Sequence, residues 1–530
     1  MSATTAPYRS DLPAGRDSFA QLLHAEWTKF RTVRGWVITA VVSVIAIIVF
    51  AYLGTFRHES GVCTGPSPAS CQAGHPHVPV GPGGEAVSDS YYFVHRTLAG
   101  DGSVTVRVSS LTGLRQTGNG NAVSTSDLVG APGPVQPWAK AGLTLTAGST
   151  LGSAYAAVML TGAHGVRMQY DYTHDTAGPS VSIAGARWLR LTRSGDTVIG
   201  SASADGTHWT VVSSARLAGL PASVQAGLFV TSPQTAPSQQ FLAGDRAGGQ
   251  ATAANARFDR LTLEGQWPAG RWRGQDVGAN GQTSTLTSVG SHPSSGGFTV
   301  TGSGDIAPAV GLPAAFTDQP SLTGVFVALI VLIVLGTMFI TAEYRRGLIH
   351  TTLAASPRRG RVLLAKALVI AAVTFLAGAA ATAVAIPLGT RLLRSHGNYV
   401  YPTSALTELR VVFGTAALLA LTAVLALALG AILRRSAAAV TAVIVLIVLP
   451  YMLVIVAAVP AGVAQWLMRL TPAAAFAVEQ TLPQYHQVDY LYTPASGFYP
   501  LAPAVGFAVL LAYALIALGL AGHRLRTTDA

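Results

Sequence analysis

Residues 341 to 368 read TAEYRRGLIHTTLAASPRRGRVLLAKAL, and the organisation of the whole chain follows from this stretch. Arg345, Arg346, Arg358, Arg359 and Arg361 crowd into a short polar interval between two long apolar runs. Short connections between membrane-crossing helices carry their excess of Lys and Arg on the inner side, so this interval reads as an inner loop. Lys366 follows it, a few residues into the next apolar run, where its long stem is expected to snorkel to the inner surface as an anchor. Contact with a transported substrate is the alternative for that residue.

Working outward, a bilayer core about 30 Å thick needs about 20 apolar residues as helix. Six stretches approach or meet that length: 36–56, 321–342, 362–388, 411–433, 437–460 and 502–522. Half of the 530 residues are hydrophobic and 11% are charged, against about 25% charged in soluble domains, which excludes an ordinary water-soluble enzyme. Residues 57 to 318 carry 15 basic and 15 acidic side chains, whereas the rest of the chain carries 19 and 8. The net charge of +11 therefore sits beside the apolar runs, as expected for an inner membrane surface. A nucleic-acid partner is excluded, because that requires a basic face with interleaved aromatics.

The first apolar run follows Lys29, Arg31 and Arg34 and has the chemistry of a secretory leader. The basic region of 34 residues before it, its length and the lack of a small-x-small pattern before Arg57 argue that it stays in the protein. With residues 1–35 in the cytosol, 15 basic residues fall on inner segments and four (Arg391, Arg394, Arg410 and Arg469) on short outer ones. Residues 343–361 and 523–530 are then inner, residues 57–320 and 461–501 outer, and both termini lie inside. Pro450 interrupts the fifth run and Pro387 ends the third, each a hinge or a tolerated bend. Residues 461–501 are too polar to span and too apolar for a free loop, so one or two short interfacial helices are expected there. Upstream, Ser18 is suited to cap a helix in which Phe19, Leu22, Leu23, Trp27 and Phe30 recur at helical spacing. That helix lies along the inner surface, packs on the first loop of its own chain, or does both.

The outer stretch differs in kind. Short alternating apolar runs separated by Gly, Ser and Thr predict antiparallel strands near 103–111, 141–147, 155–162, 166–172, 187–195, 197–206, 208–214, 224–232 and 256–265. Many short strands at this spacing suggest two packed sheets. The fold class is thus an α-helical polytopic membrane protein of six transmembrane helices, with an all-β extracellular sandwich between helices 1 and 2. Cys63 and Cys71, the only cysteines, read as an external disulfide. A metal site made with His75 and His77 is the rival. Glycosidases need two carboxylates flanking the scissile bond, and Asp171, Asp175, Asp196 and Asp205 form no recognisable pair.

Two resemblances enter on particular residues. The run WLRLTRSGDTVIGSASADGTHWTVV, from Trp188 to Val212, resembles the central hairpin of concanavalin-like lectin and glucanase sandwiches, framed by strands at Trp138–Gly142 and Phe258–Gly265. That resemblance implies glycan binding, with Trp138, Trp188 and Trp209 as stacking platforms or as sheet core. The order found at 341–368 (an acid ending a span, RRG, a short amphipathic stretch, SPRRGR, then a span opening with Lys) resembles the first cytosolic loop of ABC-2 type transporter permeases. So does LLHAEWTKFRTVRGW at 22–36. This resemblance implies a permease half in the bacterial plasma membrane, dimerising with itself or a paired permease and driven by a separate ATPase. Glu343, Tyr344, Arg345, Arg346, Gly347, Leu348, Ser356, Pro357, Arg358 and Arg359 would form the coupling loop docked on that ATPase. The large outer insertion departs from the minimal family pattern.

The engine is not encoded here. A Walker A loop needs GxxxxGK followed by Ser or Thr, and the three lysines precede Phe30, Ala141 and Ala367. HExxH and GxSxG are absent from the sequence as well. ATP and magnesium would therefore bind the partner, and this chain would carry no cofactor. An exporter permease is the leading reading, and a membrane-anchored glycan-binding or sensing protein is its alternative.

Overall fold

Uninterrupted apolar composition has only one way to satisfy its backbone in lipid, which is as helix, and each of the six runs is helical in the computed structural model of the protein. The structure describes residues 18–56, 78–115, 131–148, 150–180, 187–235, 251–278, 289–294, 296–309, 315–317, 319–347, 358–456, 458–490, 492, 494 and 497–527. Helix α1 (Phe19–Thr32) starts with a capping box, in which Ser18 Oγ accepts from the Gln21 N–H at 3.2 Å and Gln21 Oε1 accepts from the Ser18 N–H at 3.3 Å. It is followed at once by α2 (Arg34–Phe56). Helices α3 (Gln319–Arg345), α4 (Arg359–Ser395) and α5 (Ala405–Leu433) complete the centre of a bundle. The third span runs longer than its hydropathy indicates, because the helix continues through Pro387 to include Arg391 and Arg394.

Leu329, Leu332 and Ile333 of α3, Ile370 and Ala381 of α4, and Leu418, Leu419 and Leu427 of α5 are buried together. Small residues let these helices approach, as is usual where lipid cannot drive them together. A Cβ on Gly324 would stand 2.5 Å from the Ile47 carbonyl oxygen of α2. The fifth span is interrupted: α6 (Ser436–Val443) passes into a π turn (Ile444–Val448) and then into α7 (Leu449–Ile455), with Pro450 just inside. Proline's ring clashes with the carbonyl four residues back in a regular helix. The π turn shifts the local pattern, so that the Leu449 N–H bonds to the Ile444 carbonyl.

Beyond it, α8 (Ala461–Leu470) is amphipathic and leaves Trp466 exposed. The next eight residues, Pro472–Glu479, form a 3-10 helix that is wholly buried. The interfacial segment is therefore only half at a surface. Pro472–Glu479 is packed against α5 and against α9 (Pro503–Thr527), which accounts for its apolar composition.

The inserted body is a sandwich of two antiparallel sheets. One runs in the order Thr210–Arg216, Thr197–Ser203, Arg187–Ser194, Gly102–Arg115, Thr252–Gly265, Gly297–Ser303 and Gly290–Ser294, with Ala131–Gly133 paired on Gly102–Arg115. The other runs Arg273–Val277, Tyr91–Ala99, Ser223–Thr231, Lys140–Thr146, Tyr155–Thr161, Val166–Tyr170 and His174–Ala177. Val106, Leu189 and Val198 from the first meet Leu143, Val158 and Leu228 from the second in one core. Each of the nine strands expected above lies at or within three residues of its expected start, except that 256–265 begins at Thr252. The strand Tyr91–Ala99 was not expected, since YYFVHRTLA shows no alternation, and much of it is buried on both faces.

Sandwich and bundle are joined at several points. Ala315–Phe316 pairs in parallel with Tyr399–Val400. Tyr399 Oη donates to the Gly84 carbonyl at 2.6 Å, Tyr401 Oη to the Ala309 carbonyl at 2.8 Å, and the Gln487 side chain to the Tyr172 carbonyl at 2.8 Å. Ala86, Tyr401, Leu482 and Phe498 form an apolar cluster between them.

The sandwich has a core of its own, so residues 78–309 should fold without the helices and give a β-type circular dichroism spectrum; a helical or coil spectrum would refute this. Within it Asp89 is buried and accepts from the Gly152 N–H at 2.9 Å, yet burial raises its carboxyl above the ordinary value. The folded state therefore favours the protonated acid, and stability is lost as pH rises through the raised pKa. Asp89→Asn should melt with the parent near pH 3.5 and at a higher temperature than the parent at pH 7, as read by thermal melts at the two pH values.

Candidate functional site

The feature that organises one end of the bundle is a group of four charges drawn from three helices. Lys366 Nζ of α4 lies 2.7 Å from Glu26 Oε2 of α1 and 2.6 Å from Glu343 Oε1 of α3. Lys29 Nζ of α1 stands 3.0 Å from Glu26 Oε1 and 3.3 Å from Glu343 Oε1. Lys366 is 1% exposed and Glu26 fully buried. Two carboxylates and two ammonium groups balance, which is what makes burial of Glu26, Glu343 and Lys366 tolerable beside the half-buried Lys29. Burial pulls Lys29 down, but Glu26 and then Glu343 outweigh it and hold the ammonium above the ordinary lysine value.

Local structure explains the arrangement. Glu26 and Lys29 are neighbours at i and i+3 on α1, and Phe339 and Glu343 at i and i+4 on α3. The Phe339 ring lies 5.0 Å from Lys366 Nζ and meets Phe30 and Trp36 edge-on at 5.9 and 4.9 Å. Lys366 therefore does not snorkel to a surface. It is an internal cation held by two acids, and the expectation of a positional anchor is corrected. Glu26 escaped the sequence reading, although a signal was present: it shares a face with Leu22, Leu23 and Phe30, where an acid has no place unless paired.

On α1 itself, Phe30 is buried, Phe19, Leu22 and Leu23 are half-buried, and Trp27 is exposed. The helix thus packs on its own chain through one edge and leaves an aromatic outward.

Of the expected coupling residues, Glu343 belongs to the ion group, and Tyr344 is half-buried with the Arg434 guanidinium 5.5 Å from its ring. Arg345, Arg346, Gly347 and Arg358 are exposed. Arg359 Nη1 donates to the Leu525 carbonyl at 2.8 Å, and Arg524 Nη1 to the Ile432 carbonyl at 2.6 Å. These arginines close the last turns of α9 and α5, where backbone acceptors are otherwise unpaired. Gly347 stands just past the end of α3 with φ +66°, a left-handed turn rather than the interior of a docking helix. Leu348, Ser356 and Pro357 lie outside the described residues, as do Cys63 and Cys71.

In the sandwich, Trp138 is 4% exposed, with His164 stacked on it at 3.9 Å and Arg167 5.6 Å from its centre, so it is core rather than a sugar platform. Trp188 and Trp209 are half-buried, and Arg190 lies 4.1 Å over the Trp209 ring.

Lys366→Met should leave two carboxylates buried without their main cation, a loss of about 3–5 kcal/mol. Thermal unfolding of the detergent-solubilised chain should show it as a large drop in Tm. Adding Glu26→Gln to that variant should recover part of the loss; an equal or larger loss in the double variant would mean the pair does not act as a unit.

The profile described as ABC-2 family transporter protein matches residues 167–530, which includes five of the six spans and the later part of the sandwich. No curated protein matches the chain. Among solved structures, a functionally unknown protein from Saccharomyces cerevisiae is 14% identical with a TM-score of 0.18, covering 34% of this chain and 77% of its own. Scytalido-glutamic peptidase with a peptide-based transition-state analogue is 10% identical with a TM-score of 0.22, covering 41% of this chain and 98% of its own. Likeness this slight says nothing of function, and the sandwich is assigned no family from it. The match over residues 167–530 is another matter: the chain belongs to the ABC-2 family of transporter proteins.

Proposed function

We propose that this membrane-spanning permease exports its substrate, paired with a second permease half and energised by a separate ATPase that docks on the segment between α3 and α4. The observation that carries the reading is the buried ion group at the root of that segment. Glu343 lies two residues before α3 ends, and Lys366 seven residues after α4 begins. A force on the docked segment reaches both helices and, through Glu26, the surface helix α1. ATP and magnesium are held by the partner. Exposed Arg345, Arg346 and Arg358 supply the docking charges. The face of α2 bearing exposed Ile38, Val41, Ile45 and Val49 is suited to the second permease half. Concanavalin-like kinship and glycan contact of the sandwich rest on the resemblance of residues 188–212 and of the framing strands 138–142 and 258–265, and belong to the same proposal.

Gly347 tests the coupling. Its left-handed backbone suits Gly and is tolerated by Asn, whereas Pro is fixed near −65°. The purified chain alone should hydrolyse no ATP, and the complex with its ATPase should. Gly347→Asn should keep ATP-driven transport near the parent level, while Gly347→Pro reaches the membrane and loses it. Full coupling in the Pro variant would overturn the docking assignment.

The basic split supports a topology with the end holding the ion group in the bacterial cytosol, both termini inside and the sandwich outside. In a background free of Cys63 and Cys71, a cysteine replacing Ser180 should react with an impermeant reagent in intact cells. One replacing Arg435 should react only after permeabilisation. The reverse pattern would invert the topology.

A further inference from the structure

A second buried lysine lies in the sandwich, where the transport reading has no use for it. Lys140 opens the middle strand of the second sheet, opposite Thr161 and Thr231 of its two neighbours, and is fully buried. Its Nζ has two partners among the described residues, Asp305 Oδ1 at 2.6 Å and the Ile306 carbonyl at 2.6 Å. The acid is held in turn, because the Ile306 N–H donates to the same Asp305 Oδ1 at 2.8 Å. Asp305 Oδ2 makes no hydrogen bond among the described residues, and the side chain is 19% exposed. An ammonium group carries three N–H donors. Two acceptors face this one, so a fully buried cation is left with a donor to spare. Lys366 stands as near to Glu343, but its ammonium is engaged three times, by Glu26, Glu343 and the Phe339 ring.

An amide made from the same atoms fits the site without remainder. Its single N–H would donate to the Ile306 carbonyl and its oxygen, the present Oδ1, would accept from the Ile306 N–H; both bonds are already in place. We infer that Lys140 and Asp305 are joined by an isopeptide bond. A buried ion pair gains little by staying charged, so the pair relaxes to an amine and an acid protonated on Oδ2, the oxygen that the site leaves free. The Nζ lone pair attacks Cγ while the Ile306 N–H stabilises the charge developing on Oδ1. The Cγ–Oδ2 bond breaks, a second Nζ proton goes to the departing oxygen, and water leaves on the exposed side of Asp305. One ammonium and one carboxylate thus become one amide and one water, and atoms and charge balance. Asp305 precedes Ile306–Pro308, which pairs with Val87–Asp89 and leads on to α3. The bond fastens that exit to the middle of the sheet, so tension arriving from α3 meets a covalent link before a strand can peel away.

The test uses the full chain, purified in detergent, then reduced, unfolded in acid and weighed by intact-mass spectrometry. The parent should be lighter than its sequence by one water. A protease digest of it should contain a branched peptide in which the segments around Lys140 and Asp305 are joined. Lys140→Met should show its full sequence mass and no branched peptide. A parent at full sequence mass would overturn the bond. A missing water that persists in Lys140→Met would overturn it too, since Asp305 would then have cyclised onto its own backbone. Mass is read on the unfolded chain, so neither result depends on how well the variant folds, and neither depends on the transport reading.

Discussion

An ammonium group that cannot reach water must be neutralised where it stands, and Lys366 imposes that demand on everything around it. Glu26 and Glu343 meet it, and Lys29 then satisfies the excess negative charge the two acids bring. Because Lys366, Glu26 and Glu343 are buried at the expense of one another, the group admits few geometries. It fixes the depth of α1 against the bundle, the rotation of α3 at its last turn and the register of α4 at its first turns. The aromatic cluster of Phe30, Trp36 and Phe339 shields these charges from lipid. The group sits at the root of the segment that joins α3 to α4, so it ties that segment's two ends to α1.

Legibility from sequence tracked the range of the interactions. The six spans depend on composition within about 20 residues and were readable. The strands with alternating apolar residues were readable for the same reason, as Val104, Val106 and Val108 make plain. Tyr91–Ala99 was missed because a strand covered on both faces has no period to detect. The extension of α4 past Pro387 was missed because hydropathy stops at the charges, whereas the helix does not. The fate of Lys366 was beyond any local rule, since one partner lies 340 residues away. Trp138 resembles its two half-buried counterparts in sequence, and its burial among His164 and Arg167 distinguishes it.

The seam between sandwich and bundle relies on tyrosine. Tyr399 and Tyr401 pack their rings edge to face at 5.4 Å while their hydroxyls reach carbonyls of the sandwich. One residue type thereby satisfies apolar burial and polar pairing at once, which suits a boundary between a dry bundle and a wet domain. The pairing of Ala315–Phe316 with Tyr399–Val400 adds a backbone link that does not depend on side-chain identity.

The insertion leaves the bundle from α2 and returns through α3, and these two helices pack directly against each other, as closely as Gly324 allows against Ile47. To the helices, more than 200 residues of sandwich therefore look like a hairpin turn: chain departs and comes back at neighbouring points, and no span has to move to make room. A gateway of that shape is indifferent to the size of what passes through it. The same membrane frame could carry a short turn, or a different folded body, at this position without altering the packing of its spans. Such an exchange would have to rewrite the tyrosine seam, together with Gln487, Leu482 and Phe498, which also meet the sandwich.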